Sequence, residues 1–396
     1  MAGGSRTRPR LLVLGAGPAQ IGLLRRARER GLFVVAVDRD PSAPGFRYAD
    51  KRAIVSSEDE PAVDRLARAE QVHGLISPGA DWPVGIAARI AERMGLPHPI
   101  DGATAVLATS KQRQRERLQQ AGVPQPRVLA EPAAPCVVKA PDRQGQRGLT
   151  LVRRDEELRA AIDAAVDASR NGVFIVEELV EGPEVTVNAV SVDGVFHPLT
   201  VTDRLTAEPP AFGVALAHVW PSQAARSACV PGTQSPAAVA ARAAAALGIT
   251  EGPTYTQLRV GSDGPRVVEL AARLGGGHDA ELCRLALGVD LNGLALEFAL
   301  GEKPCVLGTQ APVVDGACVL FLVAPEGELR ATEGVEDALS LSGIEEVRLY
   351  RQPGHRFGPL RRGADRAGAV IATGESRDDA LARARRAAGA IRFVVE

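Results

Sequence analysis

Short apolar segments alternate with amphipathic segments over roughly the first quarter of the chain. Residues 11–14 form an apolar run, residues 21–30 have the spacing of an amphipathic helix, and the apolar segment LFVVAVD ends at Asp38. A further helical segment, VGIAARIAERMG, is followed by the break LPHP. Strands that alternate with helices predict a parallel sheet covered by helices. We therefore expect a first βα domain over residues 1–96.

The first turn contains glycines in the order that dinucleotide-binding proteins use, but at a different spacing. Its glycines are Gly15, Gly17 and Gly22, and Gln20 stands where the third glycine of G-x-G-x-x-G would be. This displacement favours glycines that let the turn and the helix pack closely. An NAD(P)-dependent oxidoreductase built on this domain remains an alternative, because a ligand can still bind at the strand ends.

The pattern changes in the middle of the chain, where strands dominate. The segments PCVVKA, LTLVRR, FIVEEL, VTVNAVSVDG and FHPLTVTD read as strands, and the helix EELRAAIDAAVDAS lies among them. The segments YTQLRV and RVVELAA, joined by GSDGP, predict a hairpin. An α+β module with an antiparallel sheet is therefore expected here. After a linker at residues 303–312, further strands and one helix predict a small C-terminal α+β domain.

Charge and composition exclude several classes of partner. The 396 residues suit two or three domains, and 47 basic against 48 acidic side chains give a net charge of -1. Such a balance provides no field for nucleic acid, and 4% aromatic residues provide few stacking platforms. No apolar run is long enough to span a membrane. The five cysteines form no CxxC pair, which favours reduced thiols and a cytoplasmic protein.

Two lysines occupy positions that suit phosphate. Lys111 begins a polar helix, and Lys139 ends an apolar strand that the loop DRQGQRG follows. Backbone N–H groups of a glycine-containing loop can surround phosphate oxygens while an ammonium group neutralises their charge. Taken singly, each lysine could equally be a solvated surface residue.

The segment FIVEELVEGPEVTV combines an apolar strand with carboxylates. Glu177, Glu178, Leu179 and Val180 form a bend that offers backbone groups and an apolar wall to a flat base, and Glu184 could accept from ribose hydroxyls. The alternative is two strands and a bend whose glutamates are solvated.

The predicted hairpin carries candidate metal ligands. Gln257 and Glu269 lie on neighbouring strands, and both supply oxygen, which Mg²⁺ prefers. Arg273 follows four residues after Glu269 and could bind a phosphoryl or carboxylate group in bidentate fashion. A surface ion pair is the alternative for any one of them.

The segment RLGGGHDAEL places glycines before a helix. Gly276 and Gly277 would let backbone N–H groups approach an anion at the helix N-terminus. We expect His278 at the mouth of this site, although a lone histidine is often structural.

The order of these segments resembles the ATP-grasp superfamily, on the anchors SKQRQRERLQQAGVP, VVKAPDRQGQRG, FIVEELVEGPEVTV and VVELAARLGGGHDAEL. The last anchor and the trailing domain are similar to carboxylate–amine ligases of the amino-acid (dipeptide) ligase type. The resemblance implies an α/β and α+β protein with a Rossmann-like pre-ATP-grasp domain at 1–96 and an ATP-grasp core at 97–304. It also implies a mobile lid at about 133–202 and a small C-terminal domain at 305–396.

The resemblance assigns an ATP-binding role to a series of residues that hold phosphate, cover it, or contact adenine and ribose: Lys111, Lys139, Gly145, Arg147, Gly148, Glu177, Glu178, Leu179, Val180 and Glu184. Catalysis would rest on Arg273, Lys139 and Glu269. Glu269 and Gln257 would hold Mg²⁺, with Mn²⁺ as an alternative ion. Gln257 replaces the carboxylate that the family usually has, so one metal would be held weakly.

The resemblance also implies the reaction. A carboxylate would be activated by ATP as an acyl phosphate and then joined to an amine, with release of ADP and phosphate. At least one substrate would be an amino acid, and the substrates would meet residues between the lid and the metal strands or in the glycine loop: Arg204, His218, Gly276, Gly277 and His278. A homodimer is the expected assembly.

Three other functions stay open from the sequence. One is an ATP-grasp carboxylase, acting on aminoimidazole ribonucleotide or a biotin-like group with bicarbonate. Another is the NAD(P)-dependent oxidoreductase. The third is a nucleotide-binding protein that no longer catalyses, which Gln257 would permit.

Overall fold

The computed structural model of the chain describes residues 8–227, 233–305 and 310–396, so part of the predicted linker at 303–312 lies outside the described residues. The N-terminal domain has the predicted parallel sheet, with strand order β3-β2-β1-β4. Its elements are β1 Arg10–Leu14, α1 Ile21–Glu29, β2 Phe33–Asp38, β3 Lys51–Ile54, α2 Glu60–Ala69, β4 Gly74–Ile76 and α3 Asp81–Met94.

The glycine turn after β1 is held by contacts within the domain. Gly15 has a φ of +103°, a backbone conformation that favours glycine. The backbone N–H of Ala16 donates to Asp38 Oδ2 at 2.9 Å. The acidic residue that a dinucleotide site would offer to ribose is therefore engaged with the turn itself, in agreement with a packing role for the glycines.

Two helices lead from the first domain to a small separate sheet. These helices are α4 Gly102–Ala108 and α5 Lys111–Gln120, and the antiparallel sheet that follows has the order β6-β5-β7. Its elements are β5 Cys136–Lys139, β6 Leu149–Val152, α6 Leu158–Ala168 and β7 Ile175–Glu178. The predicted lid at 133–202 runs past this sheet, because the strands after Glu178 pair elsewhere; we use the name lid for residues 136–178.

An eight-stranded sheet forms the body of the protein, in the order β12-β11-β8-β9-β10-β13-β17-β15. Its central elements are β8 Glu184–Val192, β9 Val195–Thr206, β10 Ala215–Trp220, α7 Gln223–Ser227, α8 Pro236–Ala246, β11 Gly252–Gly261, β12 Gly264–Ala271, α9 Asp279–Leu287 and α10 Leu291–Ala299. The predicted hairpin is present as β11 and β12, and it places Gln257 directly opposite Glu269.

The C-terminal part extends the same sheet, although the sequence predicted a separate domain. β13 pairs with β10, so that Ala217 lies opposite Leu320, and this pairing joins residues far apart in the chain. The elements are β13 Gly316–Leu322, β14 Gly327–Glu333, α11 Val335–Ser340, β15 Ile344–Leu349, β16 Arg356–Phe357, β17 Gly368–Gly374, α12 Arg377–Ala390 and β18 Arg392–Val395. A second small sheet has the order β16-β14-β18.

The N-terminal domain is packed closely against the body. Residues of α1, α9, α10 and β13 share one apolar core, which includes Leu23, Leu282 and Leu296. Gly22 is buried where α1 meets α9, and a Cβ atom there would lie 1.8 Å from Glu281 Oε1. In the described part of the chain, no helix combines the length and apolar character needed to cross a membrane.

Replacing Gly22 with alanine is expected to lower the free energy of unfolding by about 1–3 kcal/mol, because the new methyl group must displace the buried Glu281 or separate the helices. Urea denaturation measures this. The matched control is Gly389→Ala in α12, where an added Cβ would meet nothing within 4 Å. That change should leave the free energy of unfolding unchanged or raise it by up to about 1 kcal/mol. Equal effects of the two substitutions would contradict the tight contact between Gly22 and Glu281.

Candidate active site

A cleft lies between the lid and the β11–β12 hairpin. It is lined by residues of α5, the lid, the segment after β7 and the hairpin: Lys111, Val137, Lys139, Arg143, Gln144, Gly145, Gln146, Arg147, Glu177, Glu178, Leu179, Val180, Glu184, Phe212, Gln257, Arg259 and Glu269. Almost all residues predicted to bind ATP are thus brought together, and their roles remain predictions.

A buried ion triad supports the floor of this cleft. Glu177 is 1% exposed; its Oε2 lies 2.5 Å from Lys139 Nζ and its Oε1 lies 2.7 Å from Arg115 Nε. Burial alone would raise the pKa of Glu177, but the charges of Arg115 and Lys139 lower it to about 2. Arg115 also donates to Val268 O at 2.7 Å, which ties the triad to β12.

The structure changes the interpretation of Glu177. We expected it beside adenine, but strand alternation turns its side chain inward, where it pairs with Lys139. Its neighbour Glu178 faces the other way and accepts from Arg127 and Arg266. Leu179 and Val180 follow the strand at the edge of the cleft, where an apolar wall was expected.

Glu184 was expected to accept from ribose, and the structure places it in a second ion pair. Its Oε2 lies 2.9 Å from Arg204 Nη1, and its Oε1 accepts a hydrogen bond from the amide nitrogen of Gln257. Both Glu184 and Arg204 are buried. Glu184 still lines the cleft, but it also fixes the Gln257 amide so that the amide oxygen is the atom left for a cation.

The second predicted lysine closes the other side of the cleft. Lys111 Nζ lies 2.7 Å from Glu269 and donates to Arg143 O at 2.6 Å. Burial would raise the pKa of Glu269, whereas the charge of Lys111 lowers it, so the group is a carboxylate. Among the described residues no cluster of three or more histidine, cysteine or acidic side chains forms a metal site. The carboxylate of Glu269 and the amide oxygen of Gln257 nevertheless fit Mg²⁺, which takes few protein ligands beside phosphate and water.

The loop between β5 and β6 covers the cleft and reaches two other parts of the chain. Gln144 Oε1 accepts from the backbone N–H of Asp81 at 2.5 Å, and Gln146 Oε1 accepts from Gly363 at 3.4 Å. The cleft encloses only about 80 Å³, far less than the about 300–1,000 Å³ of small-molecule sites. This small volume fits the prediction that the loop belongs to a mobile lid, which stays a prediction.

The three loop residues predicted to cover phosphate differ in position. Gly145 and Arg147 line the cleft. Gly148, whose φ is +67°, lies against α6, where a Cβ would meet Ala168 Cβ at 2.7 Å. We therefore assign Gly148 to lid packing, a correction of its expected contact with ATP.

A second cavity of about 310 Å³ adjoins the cleft. It shares Gln144, Gly145, Gln146, Gln257 and Glu269 with the cleft. Its other walls come from the N-terminal domain, the large sheet and the C-terminal part: Pro18, Ala19, Gln20, Gly79, Asp81, Arg204, Ala215, His218, Tyr255, Arg273, Gly276, Gly277, Tyr350, Arg351, Gly363, Ala364 and Arg366. Pro18, Ala19 and Gln20, which follow Gly15 and Gly17 in the turn after β1, thus line the second cavity.

Arg273 lies where the two spaces meet. Its Nε donates to Asp81 Oδ1 at 2.6 Å, and its guanidinium carbon lies 5.9 Å from the centre of the Tyr255 ring. Burial would lower the pKa of Arg273, but the carboxylate of Asp81 raises it, so the group keeps its charge. Asp81 begins α3 directly after a strand and turn, and the position of ligands at strand ends could have pointed to it.

His218 is part of a buried pair with Asp279. The imidazole Nδ1 lies 3.0 Å from Asp279 Oδ1, and the other carboxylate oxygen accepts from the Gly277 N–H at 3.0 Å. Burial would raise the pKa of Asp279, but the proximity of His218 contributes to lowering it to about 2. Gly276 and Gly277 line the cavity beside this pair.

The structure does not place His278 at the mouth of the site. The residue is 4% exposed; its Nε2 lies 2.5 Å from the Tyr350 hydroxyl and its Nδ1 lies 2.9 Å from Arg348 Nη1. Burial and the charge of Arg348 lower the pKa of His278 well below its usual value, so the ring is neutral. Its expected substrate contact is therefore replaced by a supporting role behind Tyr350.

Sequence analysis missed several cavity residues, mainly from the C-terminal part: Asp81, Tyr255, Tyr350, Arg351 and Arg366. The segment DRAG that contains Arg366 carries no motif. Its position depends on the pairing of β13 with β10 and of β17 with β13, which joins distant parts of the chain.

Comparison with known proteins agrees with this geometry. A family model described as ATP-grasp domain matches residues 132–281, and one described as L-amino acid ligase C-terminal domain 2 matches residues 320–396. The crystal structure of an L-amino acid ligase from Bacillus licheniformis superposes with a TM-score of 0.81 and 21% identity, covering 99% of this chain and 100% of that one.

Two further relatives have other activities. Formate-dependent phosphoribosylglycinamide formyltransferase of Burkholderia cenocepacia is 29% identical over 413 residues, covering 97% of this chain and 95% of that protein. The biotin carboxylase domain dimer of a Hydrogenobacter thermophilus 2-oxoglutarate carboxylase, solved with MgADP and bicarbonate, has a TM-score of 0.78 and 18% identity, covering 98% of this chain and 90% of that one.

The fold and these matches define the class of the protein: it has the ATP-grasp fold, with an ATP-grasp domain at residues 132–281. Within that class, its C-terminal domain is of the L-amino acid ligase type. The predicted fold class and family are thereby confirmed.

Replacing Glu177 with glutamine is expected to lower the free energy of unfolding at pH 7 by about 3–5 kcal/mol, since Lys139 and Arg115 would keep buried charges without a counterion. The pKa of Glu177 is about 2 when folded against 4.5 otherwise. The decrease in the free energy of unfolding caused by Glu177→Gln should therefore have its full size above pH 4.5 and become smaller as the pH falls towards 2.

Urea denaturation at pH 7 and pH 3.5 measures both effects. Glu333→Gln is the control, because Glu333 and its partner Arg392 are 51% and 71% exposed; a change of at most about 1 kcal/mol is expected there. A Glu177→Gln protein as stable as this control would show that the triad contributes nothing.

Proposed function

We propose that the protein joins a small-molecule carboxylate to an amine as an amide, through an acyl-phosphate intermediate, and that at least one substrate is an amino acid. The proposal rests on one observation: the cleft and the second cavity adjoin each other at Gln257 and Glu269, which line both. The cleft on one side has lysines that suit phosphate, and the cavity on the other has room for small molecules.

The chemistry explains why both spaces are needed. An amine cannot usefully attack a carboxylate, because the leaving group would be oxide. Transfer of the γ-phosphoryl group to the carboxylate oxygen gives a mixed anhydride, and attack by the amine nitrogen then releases phosphate. Phosphoryl transfer depends mainly on positioning and on neutralisation of charge.

The cleft residues supply that neutralisation. Lys139, held by Glu177, and Lys111, beside Glu269, would contact ATP phosphates. Gly145 and Arg147 would cover them, and the edge formed by Glu178, Leu179 and Val180 would lie against the adenine. This arrangement excludes water once the loop closes, which protects an acyl phosphate from hydrolysis.

Glu269 and Gln257 would hold Mg²⁺, which supplies charge neutralisation at the phosphates when it is bound. Arg273, at the junction of the two spaces, would contact the acyl phosphate as it forms. The link between Arg273 and Asp81 orients the guanidinium and brings the N-terminal domain into the site. Mn²⁺ and the homodimer stay predictions.

A carboxylase that uses bicarbonate is the second candidate, and the structural similarity to a biotin carboxylase domain supports it. The match of residues 320–396 to the L-amino acid ligase C-terminal domain favours the ligase. Dependence on bicarbonate separates the two.

Phosphate release from Mg-ATP, measured across amino acids and other carboxylates singly and in pairs, tests the proposal. Release is expected only with a carboxylate and an amine together. Glu269→Ala should lower it by at least about 100-fold, because the carboxylate that orients charge at the phosphates is lost. The control Asp263→Asn changes an exposed carboxylate in the turn of the same hairpin and should leave the rate within about twofold.

Two results would replace the proposal. Release that requires bicarbonate and no amine would assign a carboxylase. Binding of ATP without release for every pair would indicate a nucleotide-binding protein that no longer catalyses, as Gln257 permits.

A further inference from the structure

The second cavity contains a guanidinium group that no carboxylate of the described residues approaches within 4.0 Å. Arg366 donates from Nε to Gly363 O at 2.7 Å and from Nη1 to Ala215 O at 3.4 Å. Its carbon Cζ lies 3.6 Å from the centre of the Phe321 ring. Arg366 is partly buried and lines the cavity, so its guanidinium is suited to an anion that arrives with a ligand.

The neighbourhood of Arg366 strengthens this reading. Arg351 also lines the cavity and donates to Ala364 O at 2.8 Å, and over the described ranges it too has no carboxylate within 4.0 Å. Burial lowers the pKa of Arg366; Tyr350 raises it and the charge of Arg204 lowers it, and the net shift is downward. A guanidinium nonetheless stays charged at neutral pH.

The wall of the cavity also includes an imidazole ring, that of His218. His218 lies edge-on to the same Phe321 ring, with 5.9 Å between ring centres. Its Nδ1 lies 3.0 Å from Asp279 Oδ1, so Nε2 is the ring nitrogen left for a ligand in the cavity. No hydrogen bond to Nε2 comes from the part of the chain that is described. Nε2 lies beside Gly277, where a Cβ would approach it to 2.8 Å, so only glycine leaves this nitrogen open to the cavity.

We propose that this cavity binds the amine substrate, that the amine carries an anionic group bound by Arg366, and that His218 Nε2 accepts the proton the amine must lose. The inference rests on the proposed function, because it needs an acyl phosphate for the amine to attack. A carboxylate and a phosphate both match a guanidinium. An amino acid would supply the first and a phosphorylated amine the second.

The step balances as follows. The ammonium group of the substrate gives one proton to His218 Nε2, and the freed nitrogen lone pair attacks the carbonyl carbon of the acyl phosphate. The carbon–nitrogen bond forms, the bond from carbon to the phosphate oxygen breaks, and phosphate leaves with that electron pair. The second nitrogen proton passes to the departing phosphate.

Hydroxylamine separates the two half-reactions. With ATP and the carboxylate that stimulates phosphate release, wild-type protein should form a hydroxamate, which reports the acyl phosphate without the amine. The amine site is then probed with L-alanine against L-alaninamide, and with phosphoethanolamine against ethanolamine. The anionic member of one pair should be used about 10–100-fold better in kcat/KM, and the pair that responds identifies the anion.

Arg366→Met should remove this preference and raise KM for the anionic amine, while hydroxamate formation falls much less. Arg366→Lys keeps the charge and should restore part of the preference. The matched control is Arg362→Met, which changes a half-exposed arginine paired with Asp365 just before the same segment and should leave the preference intact. Wild-type protein that uses neutral amines equally well, or accepts none of the four, overturns the proposal, as does an unchanged preference in Arg366→Met.

His218→Asn and His218→Gln test the proton acceptor. Hydroxylamine is uncharged at neutral pH and loses no proton before attack, so the ratio of amide to hydroxamate should fall by about 100-fold or more in kcat. Equal loss of both products would overturn the role of His218. Failure of wild-type protein to form any hydroxamate would instead refute the proposed function, and this inference with it.

Discussion

The carboxylate of Glu177 is the group on which the candidate site depends. It forms ion pairs with Lys139 in the lid and Arg115 in α5, and Arg115 in turn donates a hydrogen bond to the backbone of β12. One buried anion therefore orients a lysine towards the cleft and joins two separate sheets beside it. Removing one partner of such a buried group of charges is costly, so the carboxylate leaves little freedom for the position of Lys139.

A second constraint joins the three parts of the chain around the cavity. At the start of α3, the Asp81 carboxylate accepts a hydrogen bond from Arg273, and its backbone N–H donates to Gln144 of the lid. The C-terminal part contributes Tyr350 and Arg366 to the cavity wall. The lid loop and the wall of the second cavity are thus linked through Asp81. An enzyme that must protect an acyl phosphate from water gains from such a link, because the reactive space is complete only when the loop is in place.

Local patterns predicted most elements, because strand alternation, glycine turns and the GSDGP hairpin act over a few residues. The pairing of Gln257 with Glu269 needs a β-bulge in addition, because the register set by the turn would place Gln257 opposite Val268. Glu177, Glu184 and His278 were assigned to ligands although they face other protein groups, since the side of a strand that is buried depends on what packs against it. The lid boundary and Arg366 depend on pairing between distant strands, which no local pattern contains.

The central claim is that ATP activates a carboxylate as an acyl phosphate in this site. The most direct measurement uses the carboxylate that best stimulates phosphate release, labelled with ¹⁸O in its carboxyl group, with mass analysis of the phosphate produced. The account predicts that each phosphate carries one ¹⁸O atom, because the bond from carbon to that oxygen breaks when the amine attacks. Unlabelled phosphate formed together with amide would contradict it.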